Sequence, residues 1–498
     1  MIRSGSAGIT IFSNHRTPNR NRYLIMKIMK QFWALATLFL LLLIHSCNQP
    51  DGTTSPIAET NPNIVVIYCD DLGYGDLGCF GNTVIRTPNI DRMAEEGMKF
   101  TEFYSASPVC SPSRAALLTG RIPQRMGING VFFPRSYTGM PVEEITTANL
   151  LKNNGYATGV VGKWHLGHRH EYLPLQRGFD EYFGIPYSND MMSVVYIDGN
   201  DVVDFHPDQH YTTRTYTEKA IDFIERHADG PFYLYLAHSM PHIPIYASPE
   251  FDGRSGNGLY TDVIEEIDWS VGEVLNKLRE KGVLDHTLVI FSSDNGPWLA
   301  MRDHGGSAGI LREGKQYTFE GGQRVPTLAM WPGVIEPGTV YNDMALMMDW
   351  FPTFSEIIGA KLPADRDYDG ESLLAVLKGT GERKGKEFLY FDGSELQCYR
   401  NGDWKLKLPF EGYHGSDWKK GVPPHDTLLF NLKSDPGEQV NLCAEMPGKV
   451  AEMVSMMDAY LASKGALPPS LVIGDQADRS TYDFLIEKYG PDFNHIEW

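Results

Sequence analysis

An α/β fold with a large, mostly parallel central sheet, followed by a smaller domain of antiparallel strands and a helix, is what the sequence predicts. Two observations carry this. Short apolar runs alternate with helical stretches through most of the chain, as a parallel α/β sheet requires. Beyond about residue 375 the texture changes to closely spaced short strands with turn signals, closed by one helical stretch. A chain of 498 residues is also longer than one core usually fills.

The first segment is not part of that fold. Lys27 and Lys30 precede the apolar run Phe32–Ile44, which ends at His45-Ser46-Cys47. Its 13 residues are too few to cross a bilayer as a helix and suit the core of an export signal. The ending resembles a bacterial lipobox, in which Cys47 is lipidated and becomes the first mature residue. His45 departs from the usual small or aliphatic residue there, so plain secretion stays open. Residues 1–47 are read as the signal, with Met26 the expected start because nothing before it has targeting logic. The expected location is therefore outside the cytoplasm: a periplasmic or cell-surface bacterial lipoprotein, or a secreted protein. The membrane is met only through a lipid at Cys47. Residues 48–61 form a polar, proline-containing linker.

Within 62–375, the expected catalytic domain, four apolar runs matter most: Ile64–Tyr68, Ala157–Val161, Phe232–Leu236 and Leu288–Ser292. Each leads into polar residues suited to chemistry. The first runs into Cys69-Asp70-Asp71 and the second into Gly162-Lys163-Trp164-His165. The third runs into His238-Ser239-Met240-Pro241-His242 and the fourth into Ser293-Asp294-Asn295-Gly296. Ligands of open α/β sheets bind beyond the carboxyl ends of the strands, so these turns predict a single site. In the expected C-terminal domain, 376–498, short strands fall at Phe388–Tyr390, Leu396–Tyr399 and Trp404–Leu408 around the hairpin signal Asn401-Gly402. Leu428–Leu432, before Ser434-Asp435-Pro436-Gly437, adds another, and Val450–Ser463 reads as the helix.

Lys and Arg number 44 against 63 Asp and Glu, a formal charge of −19, which argues against nucleic acid as a partner. An anionic substrate must then be drawn by a local cluster of cations. Apart from Cys47, the cysteines are Cys69, Cys79, Cys110, Cys398 and Cys443, without zinc spacing. A Cys398–Cys443 disulfide in an oxidising compartment stays open.

The run Cys110-Ser111-Pro112-Ser113-Arg114-Ala115-Ala116-Leu117-Leu118-Thr119-Gly120-Arg121 places Pro112 where a first helical turn tolerates it, ahead of good helix formers. Cys110 is thus expected at a helix N-terminus, where negative charge is favoured, with Arg114 on the same face. Asp70, Asp71, Asp294 and Asn295 offer only oxygen ligands, which suits calcium or magnesium and not zinc.

The Cys110–Arg121 run resembles the signature of the type I, formylglycine-dependent sulfatases, in which C-x-P-S-R directs oxidation of the cysteine. The resemblance runs from Asn63-Ile64-Val65 to the Leu428–Leu442 segment with its Asp435-Pro436, and is of the arylsulfatase A and N-acetylgalactosamine-6-sulfatase kind. It implies an alkaline-phosphatase-like sandwich, a formylglycine made from Cys110 by a maturase, and a calcium ion held by Asp70, Asp71, Asp294, Asn295 and the modified Cys110. One hydroxyl of the hydrated aldehyde attacks sulfur, and deprotonation of the other expels sulfate. The resemblance further implies that Lys163, in Gly162–Gly167, and Lys315, ahead of Glu320-Gly321-Gly322, bind sulfate oxygens. Arg114 and His165 hold the hydroxyls, with His165 the base for the elimination, and His242 protonates the leaving alcohol. Ser188 matches a sulfate-contacting position. Asn189, Asp190, His168, His170, Trp298, Arg302 and His304 lie beside these motifs as expected substrate contacts. The implied substrate is a sulfated carbohydrate of galactose or N-acetylgalactosamine type.

Two other readings stay open on these residues. One is an alkaline-phosphatase-superfamily phosphodiesterase or phosphonate hydrolase, disfavoured by the oxygen-only metal set and the paired lysines. The other is an inactive homologue that binds sulfated glycans, disfavoured because every matched catalytic position is intact. Thiol chemistry lacks a partner cysteine near Cys110 in sequence.

Overall fold

The computed structural model describes residues 61–191, 194–412 and 423–471. The expected export signal with Cys47, and the linker up to residue 60, lie outside the described residues, as does the chain beyond 471. No helix among the described residues is long and apolar enough to cross a membrane.

The strands form three sheets. In chain order they begin with β1 (Asn63–Cys69), β2 (Met98–Phe100), β3 (Phe103–Tyr104), β4 (Ala157–Gly162), β5 (Glu181–Gly184) and β6 (Tyr196–Asp198). There follow β7 (Asp201–Asp204), β8 (Phe232–Ala237), β9 (Thr287–Ser293), β10 (Thr327–Met330), β11 (Thr339–Tyr341) and β12 (Ala345–Leu346). The last four are β13 (Glu387–Asp392), β14 (Glu395–Asn401), β15 (Trp404–Lys407) and β16 (Leu428–Asn431). The central sheet has ten strands in the order β11-β2-β10-β9-β1-β8-β4-β5-β6-β7, and β3 pairs with β12 beside it. Only β6 and β10 run against the other eight central strands. The expected mostly parallel sheet is therefore present, with these two short reversed strands added.

Helices cover both faces of that sheet, which is why β1 reads as an unbroken apolar run rather than an alternating one. Ile64, Val66 and Tyr68 enter one core, and Val65, Ile67 and Cys69 the other. The relevant helices are α1 (Pro88–Glu96), α2 (Cys110–Thr119), α3 (Thr212–His227), α4 (Leu259–Glu280) and α5 (Trp350–Ile357). The first core takes Ala115–Leu118 of α2 and Trp350 and Phe354 of α5. The second takes apolar residues of α1, α3 and α4. At α1 the missing side-chain cap comes from α4: Asp268 accepts the N–H groups of Asn89 and Ile90 at 2.9 and 2.8 Å.

The C-terminal sheet, β13-β14-β15-β16, is antiparallel throughout, and Asn401-Gly402 makes its central hairpin as its sequence signals. Leu389, Phe391, Tyr399 and Leu406 on one face pack against Met453 and Met457 of α6 (Pro447–Ser463). Phe388, Tyr390 and Cys398, one residue out of phase, face the main core. This alternation separates the two cysteines. Cys398 points inward, its sulfur 3.5 Å from the Thr318 carbonyl, while Cys443 lies on the α6 side with its sulfur 3.1 Å from the Thr427 carbonyl. Both are free, so the disulfide left open by the sequence does not form in this structure.

The α6 helix thus holds the outer face of the C-terminal sheet, and fully buried Met453 is at the centre of that contact. Met453→Ala is expected to cost about 2–4 kcal/mol in urea unfolding. A loss of less than about 1 kcal/mol would mean that the helix does not hold the sheet in solution.

Candidate active site

In the sheet order, β9, β1, β8 and β4 are consecutive, so their carboxyl ends lie side by side and the four expected turns converge. The approach at β4 is close. Lys163 N–H donates to the Ala237 carbonyl at 2.8 Å, and a Cβ on Gly162 (φ +117°) would stand 1.9 Å from that oxygen. The α2 helix enters the same space. It starts at Cys110 and is stopped by Gly120 (φ +69°), whose N–H closes on the Ala116 carbonyl.

Cys110 is buried, with its sulfur 3.4 Å from Asp70 Oδ1. Arg114, fully buried, donates to Asp294 Oδ2 from Nε (3.0 Å) and Nη2 (2.8 Å), and Nη1 donates to the Lys163 carbonyl at 3.0 Å. Its Nη2 is 3.6 Å from Asp70. Lys163 Nζ donates to Asp70 and, at 3.0 Å, to the Ser188 hydroxyl. Lys315 Nζ pairs with Asp71 Oδ2 at 2.8 Å and sits 4.4 Å from the centre of the Trp298 ring. Asn295 Nδ2 donates to Asp71 Oδ1 at 2.7 Å. Asp71 N–H donates to Asp294 Oδ1 at 3.1 Å. Three carboxylates and three cations from five segments are thus directly interlocked.

Two histidines complete the group. His242 Nδ1 donates to the Ile243 carbonyl at 2.6 Å, so its Nε2, 3.7 Å from Asp71, is the nitrogen that faces the acids. His165 Nε2 donates to the Phe132 carbonyl at 2.8 Å, which leaves the lone pair of the neutral ring on Nδ1. Asp71 (φ +66°) and His165 (φ +58°) both lie in the left-handed region, backbone strain of the kind that gathers at functional sites.

The charges follow from burial and neighbours. For Asp70 burial opposes ionisation, but Lys163, His242, Arg114 and Lys315 hold it well below the ordinary carboxylate range. Burial, then the neighbouring Asp70 charge, pushes Asp294 up to about 7. For Lys315 burial works against the charge, and Asp71 beside it more than compensates, raising it above an ordinary lysine. Burial and then Lys163 and Arg114 keep His165 well below the usual histidine value, so it is a neutral base. Burial and Lys315 lower His242 as well. Burial and the Asp70 charge push the Cys110 thiol well above its ordinary value, so as a plain cysteine it is protonated and a poor nucleophile.

The carboxylate oxygens of Asp70 and Asp71 suit a hard divalent cation. Ligand atoms of Asp70, Asp71, Cys110 and His242 lie within 4.8 Å of one another. The Asn295 Oδ1 is buried and accepts no hydrogen bond among the described residues, an oxygen that a cation would satisfy. Asp294, expected in the set, stands outside that four-residue cluster. The Arg114 guanidinium takes its Oδ2 twice and the Asp71 N–H takes its Oδ1.

The remaining expected contacts are placed less centrally. Ser188 is buried and lies 3.5 Å from both ring nitrogens of His242. Asn189 is buried and donates to the Pro244 carbonyl at 2.9 Å, while Asp190 is exposed. His168 is buried edge-on to Tyr187, and burial lowers it to about 4. Arg302 and His304 are exposed on a turn, Leu299–His304, and no hydrogen bond among the described residues joins them to the Asp70–Cys110 group. Half-buried Trp298 lies 5.6 Å from the His242 ring and covers Lys315. Sequence reasoning missed the Phe132 carbonyl that orients His165, because a backbone acceptor carries no residue signal.

A family model described as Sulfatase matches residues 62–360, and one described as N-sulphoglucosamine sulphohydrolase, C-terminal, matches residues 313–464. The chain is 41% identical over 436 residues to N-acetylgalactosamine-6-sulfatase of Mus musculus, covering 78% of this chain and 84% of that one. It is 36% identical over 455 residues to Arylsulfatase A of Homo sapiens, with 83% and 89% covered. The solved PsFucS1 sulfatase from Pseudoalteromonas sp. superposes with a TM-score of 0.75 at 29% identity, over 82% of this chain and 91% of that one. With its α/β/α sandwich, its C-terminal sheet and these relatives along most of its length, the chain belongs to the sulfatase family, hydrolases of sulfate esters.

Proposed function

We propose that this enzyme removes O-sulfate from a carbohydrate of galactose or N-acetylgalactosamine type, with Cys110 as the nucleophile after a maturase has oxidised it to formylglycine, and with one calcium ion. The sugar class rests on the relatives named for N-acetylgalactosamine 6-sulfate. The observation that carries the mechanism is the convergence on Cys110. Its sulfur is 3.4 Å from Asp70, and that acid and Asp71 are gripped by the buried cations Lys163 and Lys315, whose only ion pairs among the described residues are these two. We further propose export, with Cys47 as a lipid anchor or with plain secretion.

Formylglycine supplies a geminal diol, one hydroxyl of which is the nucleophile that a protonated thiol is not. Calcium supplies a Lewis acid that polarises the sulfate and acidifies the attacking hydroxyl. Asp70, Asp71, Asp294 and Asn295 would hold it. The side chains do the rest. Lys163, Lys315 and the Ser188 hydroxyl bind sulfate oxygens and stabilise charge that develops on them. Arg114, fixed by Asp294 and the Lys163 carbonyl, orients the nucleophilic residue. His242, protonated at Nε2, gives its proton to the leaving sugar oxygen, and neutral His165 takes a proton at Nδ1 in the elimination.

The peptide containing Cys110, from a maturase-competent host, is expected to carry an aldehyde or its hydrate in place of the thiol by mass spectrometry. Cys110→Ala should abolish turnover and keep sulfate binding; equal turnover would mean another nucleophile. Chelation of divalent ions should remove activity, and added Ca2+ should restore it and raise the melting temperature. Restoration by Zn2+ and not Ca2+ would contradict a site built on the oxygens of Asp70, Asp71, Asp294 and Asn295. For pH, His242 must be charged to act as an acid and its pKa is lowered, so kcat/KM should fall as pH rises, from below the ordinary histidine value of about 6.5. A descending limb that persists in His242→Gln would assign that proton elsewhere.

A further inference from the structure

The loop that carries Lys315 is held from outside the site. Arg312 and Glu320 stand at its two ends, closed by a Gly321 N–H to Arg312 carbonyl bond of 2.8 Å. Between them Glu313 (φ +60°) and Gln316 (φ +75°) lie in the left-handed region, which non-glycine residues resist. Backbone bonds tie its middle, from Lys315 N–H to the Pro297 carbonyl at 2.8 Å and from Gln316 N–H to the Pro108 carbonyl at 2.9 Å, and its ends are held separately. Glu438, from the turn after β16, does this at both ends. Its Oε2 accepts the Glu320 N–H at 2.6 Å, and its carbonyl accepts Arg312 Nη1 at 3.0 Å.

Glu438 is itself fully buried and has φ +51°. Lys405 of β15 stands between the two acids, with Nζ 2.9 Å from Glu438 Oε1 and 3.0 Å from Glu320 Oε1. No hydrogen bond or ion pair among the described residues joins Glu438 or Lys405 to the Asp70–Cys110 cluster. A buried, strained acid that binds both ends of one strained loop is an expensive arrangement unless that loop must be placed accurately.

We propose that Glu438 is a positioning residue for Lys315: the C-terminal sheet reaches through it to set where the sulfate-binding ammonium stands. The inference rests on the reading of Lys315 as a sulfate ligand, and the test separates the two. Inorganic sulfate is titrated calorimetrically into the mature, Ca2+-supplemented enzyme and into Lys315→Ala, Glu438→Ala and the double variant. Turnover of 4-nitrophenyl sulfate is measured alongside. In Glu438→Ala, Lys405 keeps Glu320 as its counter-charge, so the core stays balanced.

The expected result is that Glu438→Ala and Lys315→Ala each weaken sulfate by about tenfold or more, with the double variant no worse than Lys315→Ala alone. Glu438→Gln, whose Oε1 still accepts the Glu320 N–H, should retain most of the affinity. If Glu438→Ala does not fold, Glu438→Asp, which keeps the charge and shortens the reach, takes its place in the cycle. Wild-type sulfate affinity in the Glu438 variant, or losses that add to those of Lys315→Ala, would overturn the proposal. Unchanged affinity in Lys315→Ala would overturn the reading of the lysine itself.

Discussion

The site depends on one constraint: three buried carboxylates and three buried cations must satisfy one another where the four central strands end. Asp70, Asp71 and Asp294 stand opposite Lys163, Lys315 and Arg114, all at most a few per cent exposed. An unpaired charge at such depth costs several kcal/mol. No member can therefore move far without stranding another. Because the six come from five separate segments, that mutual requirement fixes the relative position of β1, β4, β9, α2 and the Lys315 loop. The strained backbones of Asp71 and His165 are tolerable for the same reason.

The chain as a whole is acidic, at −19, yet its site must admit an anion. The resolution is local. Lys163 and Lys315 are buried beside aspartates, Ser188 adds a neutral donor, and Trp298 lies over the Lys315 ammonium. The long-range field repels an incoming sulfate only weakly through salt, since screening acts within about 8–10 Å. At contact distance, on the proposed reading, the two lysines would take over.

Much of this was legible in the sequence, for a specific reason. Buried parallel strands are apolar along their whole length, so the first polar residues after them mark the strand ends and, with them, the site. Asp70, Lys163, His242 and Asp294 were found that way. The α2 boundaries were written in Pro112 and Gly120, and the outer hairpin in Asn401-Gly402. What was hidden has an equally specific cause. Glu438 and Lys405 look like surface charges in sequence, and only the docking of the C-terminal sheet buries them. Cys398 and Cys443 looked pairable because sequence separation says nothing about which face of a sheet each occupies.

The pairing pattern also ties the two ligands of the site to each other. Lys163 and Lys315 are paired with Asp70 and Asp71. On the proposed reading, a lysine that turns to sulfate leaves behind a carboxylate that needs another positive partner. The cost of turning a lysine from its aspartate to a sulfate oxygen therefore falls when a cation is present. By linkage, the affinity of the cation must rise by the same factor when sulfate is bound. If the aspartates hold a cation and the lysines hold sulfate, as proposed, the same six charges that hold the site together would also couple its two ligands.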